Sequence, residues 1–102
     1  MKTANEITPT DTFHPGTMLE EEISFRGMTK KGVAEKMGIA PSVLSEIISG
    51  KRSISPRLAI RIEEALDINA LFFLNMQVRY DYYTLKGKLR KISSVRSRKR
   101  AA

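Results

Sequence analysis

Four cations and four polar side chains bracket one short stretch of this chain. Lys30 and Lys31 open it, Lys51 and Arg52 close it, and Ser42, Ser45, Glu46 and Ser49 lie between. Lysine and arginine at such flanks are phosphate clamps. A serine hydroxyl donates to or accepts from any base edge, and a glutamate accepts from a cytosine amino group. The combination suits reading a nucleic acid, not transforming a small substrate. No arginine or asparagine stands among the four inner residues to make a bidentate base contact. Direct readout by them is therefore modest, and DNA shape is expected to carry part of any preference.

These residues need a frame that presents them together, and the local pattern supplies one. The run TKKGVAEKMGIAPSVLSEIIS, residues 29–49, holds two short amphipathic segments. The first, from about Thr29 to Lys36, turns Val33, Ala34 and Met37 inward. The second, from about Pro41 to Ser49, turns Val43, Leu44, Ile47 and Ile48 inward and leaves Pro41, Ser42, Ser45, Glu46 and Ser49 outward. Met37-Gly38-Ile39-Ala40 joins them. This is the pattern of a helix-turn-helix, whose second helix enters the DNA major groove. Thr29, Lys30 and Lys31 at the first helix, and Lys51 and Arg52 after the second, are the expected clamps. Backbone N–H groups at the helix starts assist them. The competing reading is a solvated surface, because the same geometry occurs in proteins that bind no DNA.

The remaining elements follow from punctuation. Pro15 opens a first helix to about Arg26, striped by Met18, Leu19 and Ile23, with Gly27 as its terminator. Thr29 is the expected cap of the second helix. Gly32 inside that helix costs about 1 kcal/mol against alanine. Gly38 sits where a turn needs a positive φ. Ala40 is a weak cap for the third helix, helped by Pro41, and Gly50 closes it. Ser55-Pro56 opens a fourth helix with Leu58, Ala59, Ile62, Ala65 and Leu66 inward. Asn69 caps a fifth, from Ala70 to roughly Leu85. Five of the seven aromatics (Phe72, Phe73, Tyr80, Tyr82, Tyr83) fall there, so it is apolar on more than one face and needs cover on both. The expected division is a loose arm over residues 1–13, a binding and dimerisation domain over 14–85 and a basic tail over 86–102.

Composition narrows the classes. The 102 residues carry a net charge of +7 and no cysteine, which excludes disulfides, thiolate metal sites and a cysteine nucleophile. All eleven acids lie before residue 86, whereas residues 86–102 hold eight Lys and Arg and no acid. The high basicity thus belongs to the tail. Inside the domain, seven cations between Thr29 and Arg61 face only Glu35 and Glu46, and acids dominate before Thr29. Two faces of opposite sign suggest two partners. No apolar run approaches the roughly 18 residues of a membrane span. The first residues lack the apolar core of a signal peptide, so the cytoplasm is the expected location. His14 has no partner for catalysis and reads as a helix-entry residue. No nucleophile, base and orienting group cluster, so no enzyme, cofactor or metal site is expected. The methionines read as core filler, and Tyr80, Tyr82 and Tyr83 as packing or a dimer interface.

The chain resembles the HigA-type antitoxins, plasmid-maintenance antidotes within the Xre/Cro-like superfamily. The resemblance rests on His14-Pro15-Gly16, the helix-turn-helix, Ser49-Gly50-Lys51-Arg52, Leu66-Asp67-Ile68-Asn69 and the run from Leu71 to Gln77. It spans about residues 13–85. It implies an all-α, five-helix, lambda-repressor-like domain, a homodimer, operator binding that represses the protein's own operon, and neutralisation of a HigB-like mRNA endonuclease toxin. A stand-alone regulator without a toxin is the alternative. Family-type DNA contacts fall on Thr29, Lys30, Pro41, Ser42, Val43, Ser45, Glu46, Lys51 and Arg52. Because such toxins are generally basic, Glu20, Glu21 and Glu22 are expected to contact the toxin. The chain departs from the family pattern at Lys30, at Ala40-Pro41 and at Gly32. The first two change base readout, so its operator cannot be borrowed from relatives.

Overall fold

The computed structural model describes residues 14–101, with side chains to residue 90. The arm expected over residues 1–13 lies outside the described residues. Five helices follow in order: α1 (Pro15–Phe25), α2 (Lys30–Met37), α3 (Pro41–Ser49), α4 (Pro56–Leu66) and α5 (Ala70–Ala101). Among the described residues there is no strand. The fold is all-α, as expected.

Each helix start has a local cause. The Gly32 N–H donates to Thr29 Oγ1 at 3.0 Å, and the Leu58 N–H to Ser55 Oγ at 3.2 Å. Leu71 N–H donates to Asn69 Oδ1 at 2.8 Å. Gly32 therefore sits in a capped first turn, where its flexibility costs less than mid-helix. Ala40 makes no side-chain cap bond, and Pro41 alone pre-sets the α3 start. At the other ends, Gly38 and Gly50 take the left-handed conformation, with φ 69° and 84°.

The inward stripes meet in one core. Leu19, Ile23, Val33, Ala34, Met37, Leu44, Ile47, Ile54, Ala59, Ile62, Leu66, Ala70 and Phe73 are buried together. α1 packs on α3, α2 on α3 and α4, and α5 on α4 and α1. The helix-turn-helix is thus held from behind by three other helices. Phe73 is the largest fully buried side chain. Its loss would cost about 3–5 kcal/mol by the usual cavity scale.

α5 differs from expectation in length. Its helix continues to Ala101 instead of ending near Leu85. The reason is visible in the sequence: after Leu85 there is no proline, and Gly87 is the only weak helix former before the serines. Lysine, arginine and leucine are all good helix formers, so no stop signal exists.

Candidate nucleic-acid interface

The helix-turn-helix presents its polar residues as a surface. Pro41, Ser42, Ser45 and Ser49 of α3 are exposed, Glu46 is half-buried, and Leu44 and Ile47 point into the core. Val43 is only partly buried and leans on the core. Thr29, Lys30 and Lys31 are exposed at the start of α2, and Lys51 and Arg52 are exposed just beyond α3. The structure therefore joins all eleven expected residues to one two-helix unit, with cations at both its margins.

Two of the cations are already engaged. Arg52 Nε donates to Glu46 Oε2 at 2.8 Å, and Nη2 approaches the same oxygen at 2.7 Å. A carboxylate near phosphates is costly unless paired, and this one is paired. Glu46 thus holds Arg52 against the end of α3. Lys30 Nζ lies 2.9 Å from Glu20 Oε2 of α1. Glu22 pairs with Arg26 along α1, and Glu21 is exposed. Of the three acids expected to meet a toxin, two are thus committed within the domain. Ser49 Oγ donates to Glu46 O at 3.2 Å, which leaves that hydroxyl its acceptor capacity alone.

The loop after α3 is fixed in two ways. Lys51 N and Arg52 N both donate to Glu46 O, at 2.9 and 3.2 Å, and cap the helix. Deeper, Ile54 N donates to Gln77 Oε1 of α5 at 2.8 Å, and Gln77 Nε2 donates to Asp81 at 2.9 Å. Gln77 is the buried polar residue of the described core. Its amide ties α5 to the loop that carries Lys51 and Arg52. Sequence reading did not single out Gln77 as a positioning residue. The available signal was a glutamine four residues after Phe73, on the inward face of α5.

His14 is a structural part, in line with its reading as a helix-entry residue. Gly16 N–H donates to His14 Nδ1 at 2.8 Å, so the imidazole caps α1. The ring meets Tyr80 edge-on at 5.8 Å. A side chain at Gly50 would meet His14 Nε2 at 2.6 Å, and one at Gly16 would strike the carbonyl oxygen of Ile47. The two glycines let α1 and His14 close on the end of α3. A cleft of about 30 Å³ remains there among His14, Gly50, Arg52, Gln77 and Tyr80, room for a water molecule and not for an organic ligand.

Among the described residues, no helix is long and apolar enough to cross a membrane.

Comparison with known proteins agrees with this geometry. Residues 26–73 match the family described as Helix-turn-helix. Virulence-associated protein A of Dichelobacter nodosus is 39% identical over 69 residues, which cover 66% of this chain and 68% of that protein. Across such relatives the matched stretch spans between 60% and 68% of the relative's own length. An addiction module antidote protein of a HigA family from Coxiella burnetii has the same fold at TM-score 0.73, with 31% identity over 86% of this chain and 95% of that one. The Pseudomonas aeruginosa antitoxin HigA, solved with the higBA promoter, matches at TM-score 0.73 with 26% identity over 78% and 88%. The chain belongs to the helix-turn-helix family of HigA-type antidote proteins.

Proposed function

We propose that the protein is a sequence-specific DNA-binding antitoxin that represses its own operon and neutralises a HigB-like mRNA endonuclease. The observation that carries the DNA half is the exposed α3 face with cations at both margins of one helix-turn-helix unit. α3 would lie in the major groove, with Ser42, Ser45 and Glu46 toward base edges and Pro41 and Val43 offering apolar contact. Thr29, Lys30, Lys31, Lys51 and Arg52 would hold the phosphates on either side, fixing register rather than sequence. The likeness to an antitoxin solved on promoter DNA supports this assignment.

A two-fold dimer would set two recognition helices about 34 Å apart on a palindromic operator. A mobility shift on the DNA just upstream of the protein's own gene tests the DNA half. A shift that an excess of random DNA competes away equally well would refute it.

The toxin half is carried by the resemblance and by the acidic α1 surface of Glu20, Glu21 and Glu22. The pairing of Glu20 with Lys30 and of Glu22 with Arg26 favours a second reading, a stand-alone regulator whose acids serve the domain itself. Co-expression with the neighbouring short basic gene product decides between them. A stable copurifying complex supports the antitoxin; separation of the two proteins supports the regulator.

A further inference from the structure

α5 has two apolar faces and the domain covers one. Phe73 and Gln77 turn into the core. On the opposite side of the helix, Leu71, Val78, Tyr82, Leu85 and Leu89 are each at least half exposed. With Asn75 they fall at separations of four and three in strict alternation, the seven-residue repeat of a coiled-coil seam. Five of the eight large apolar residues exposed among the described residues lie on this one line, so the exposure is a pattern and not scatter. In the sequence, Ile92 takes the next position of the repeat.

We propose that this seam pairs with the same seam of a second copy of the chain, the two α5 helices running antiparallel. Charge sets the direction. Residues 86–102 carry eight Lys and Arg and no acid, and a parallel pair would lay two such segments side by side. The antiparallel pair carries Lys88 and Arg90 of one copy to the α4–α5 corner of the other. That corner presents exposed Glu63, Glu64 and Asp67. The seam sets the register. Leu71 of one copy lies opposite Leu89 of the other, Val78 opposite Tyr82, and Asn75 opposite Leu85. This register pairs every exposed apolar position of the seam. Asn75 is the polar interruption that such seams use to fix one register at some cost in stability. The pairing gives the two-fold dimer of the proposed DNA-binding reading a specific surface, and it stands or falls without DNA.

The chain has no cysteine, so introduced thiols report contacts without background. Leu71→Cys and Leu89→Cys variants are mixed, allowed to exchange subunits and treated with a short bis-maleimide. The expected product is a covalent heterodimer that links the thiol of one variant to the thiol of the other, with little crosslinking in either variant alone. Leu71→Cys crosslinking to itself as efficiently as to Leu89→Cys would mean a parallel or different pairing and would overturn the proposal. Val78→Asp, an exposed position, is expected to give a monomer by sedimentation with unchanged helical circular dichroism. A Val78→Asp protein that stays dimeric, or a wild-type chain that is monomeric at micromolar concentration, would overturn it as well. Both readouts are taken without DNA, so a lack of operator preference would leave the pairing standing.

Discussion

Arg52 and Glu46 form a closed unit at the end of the recognition helix, with two guanidinium nitrogens on one carboxylate oxygen at 2.8 and 2.7 Å. The pair is nearly half exposed on both sides, so its worth to folding is about 0–1 kcal/mol. Its effect on DNA binding is larger and asymmetric. In Arg52→Ala a bare carboxylate would face the phosphates. Affinity is expected to fall and the salt slope to become shallower by about one. The double variant Arg52→Ala/Glu46→Ala is expected to regain part of that loss, because the repulsive charge leaves with its partner. Fluorescence anisotropy across a salt series measures both. Additive losses in the double variant would show that the two residues do not act as a unit.

Glu20 holds Lys30 at 2.9 Å and so lowers the positive potential at the start of α2. Glu20→Gln is expected to bind DNA more tightly, by severalfold at low salt, with the gain shrinking as salt is raised. Melting temperature should change little, since an exposed pair contributes under about 1 kcal/mol. An unchanged affinity at low salt would mean that Lys30 does not reach phosphate.

Gln77 is buried and fastens the loop of Lys51 and Arg52 through Ile54. Gln77→Leu would orphan the buried Ile54 N–H, at about 1–3 kcal/mol. In a domain of this size each kcal/mol lowers Tm by roughly 4–8 °C. A drop of that scale is expected by differential scanning calorimetry, together with weaker DNA binding at a temperature where the variant is fully folded. Weaker binding with no loss of stability, or the reverse, would separate the two roles assigned to this amide.

Gly16 and Gly27 offer a contrast within one helix. A methyl at Gly16 would strike the backbone oxygen of Ile47, which no rotamer can relieve, whereas at Gly27 it would meet nothing within 4 Å. Gly27 sits at φ 66°, so Gly27→Ala pays only backbone strain, about 1 kcal/mol. Gly16→Ala is expected to be clearly the more destabilising of the two by urea titration, since it must push α1 off α3.

Much of this architecture was written in local signals. Pro15, Thr29, Gly38, Pro41, Gly50, Ser55-Pro56 and Asn69 mark helix ends by mechanisms confined to a few residues, and the helices begin and end within a residue or two of them. The outward face of α3 followed from its apolar stripe alone. The extent of α5 did not, because its basic segment contains no proline and its serines are weak breakers. Nor did the pairings of Arg52 with Glu46 and of Lys30 with Glu20, or the reach of Gln77 to Ile54. These depend on how helices cross, and sequence spacing does not encode that directly.

The central claim is sequence-specific binding by the α3 face, and competition binding tests it most directly. Labelled DNA from upstream of the protein's own gene is titrated at physiological salt against the same DNA shuffled, with wild type and with Lys51→Ala/Arg52→Ala. The account expects wild type to prefer its own upstream DNA by roughly 1000-fold or more. It expects the double variant to lose affinity for both DNAs, with a shallower salt slope. Equal binding of native and shuffled DNA by the wild-type protein would contradict it.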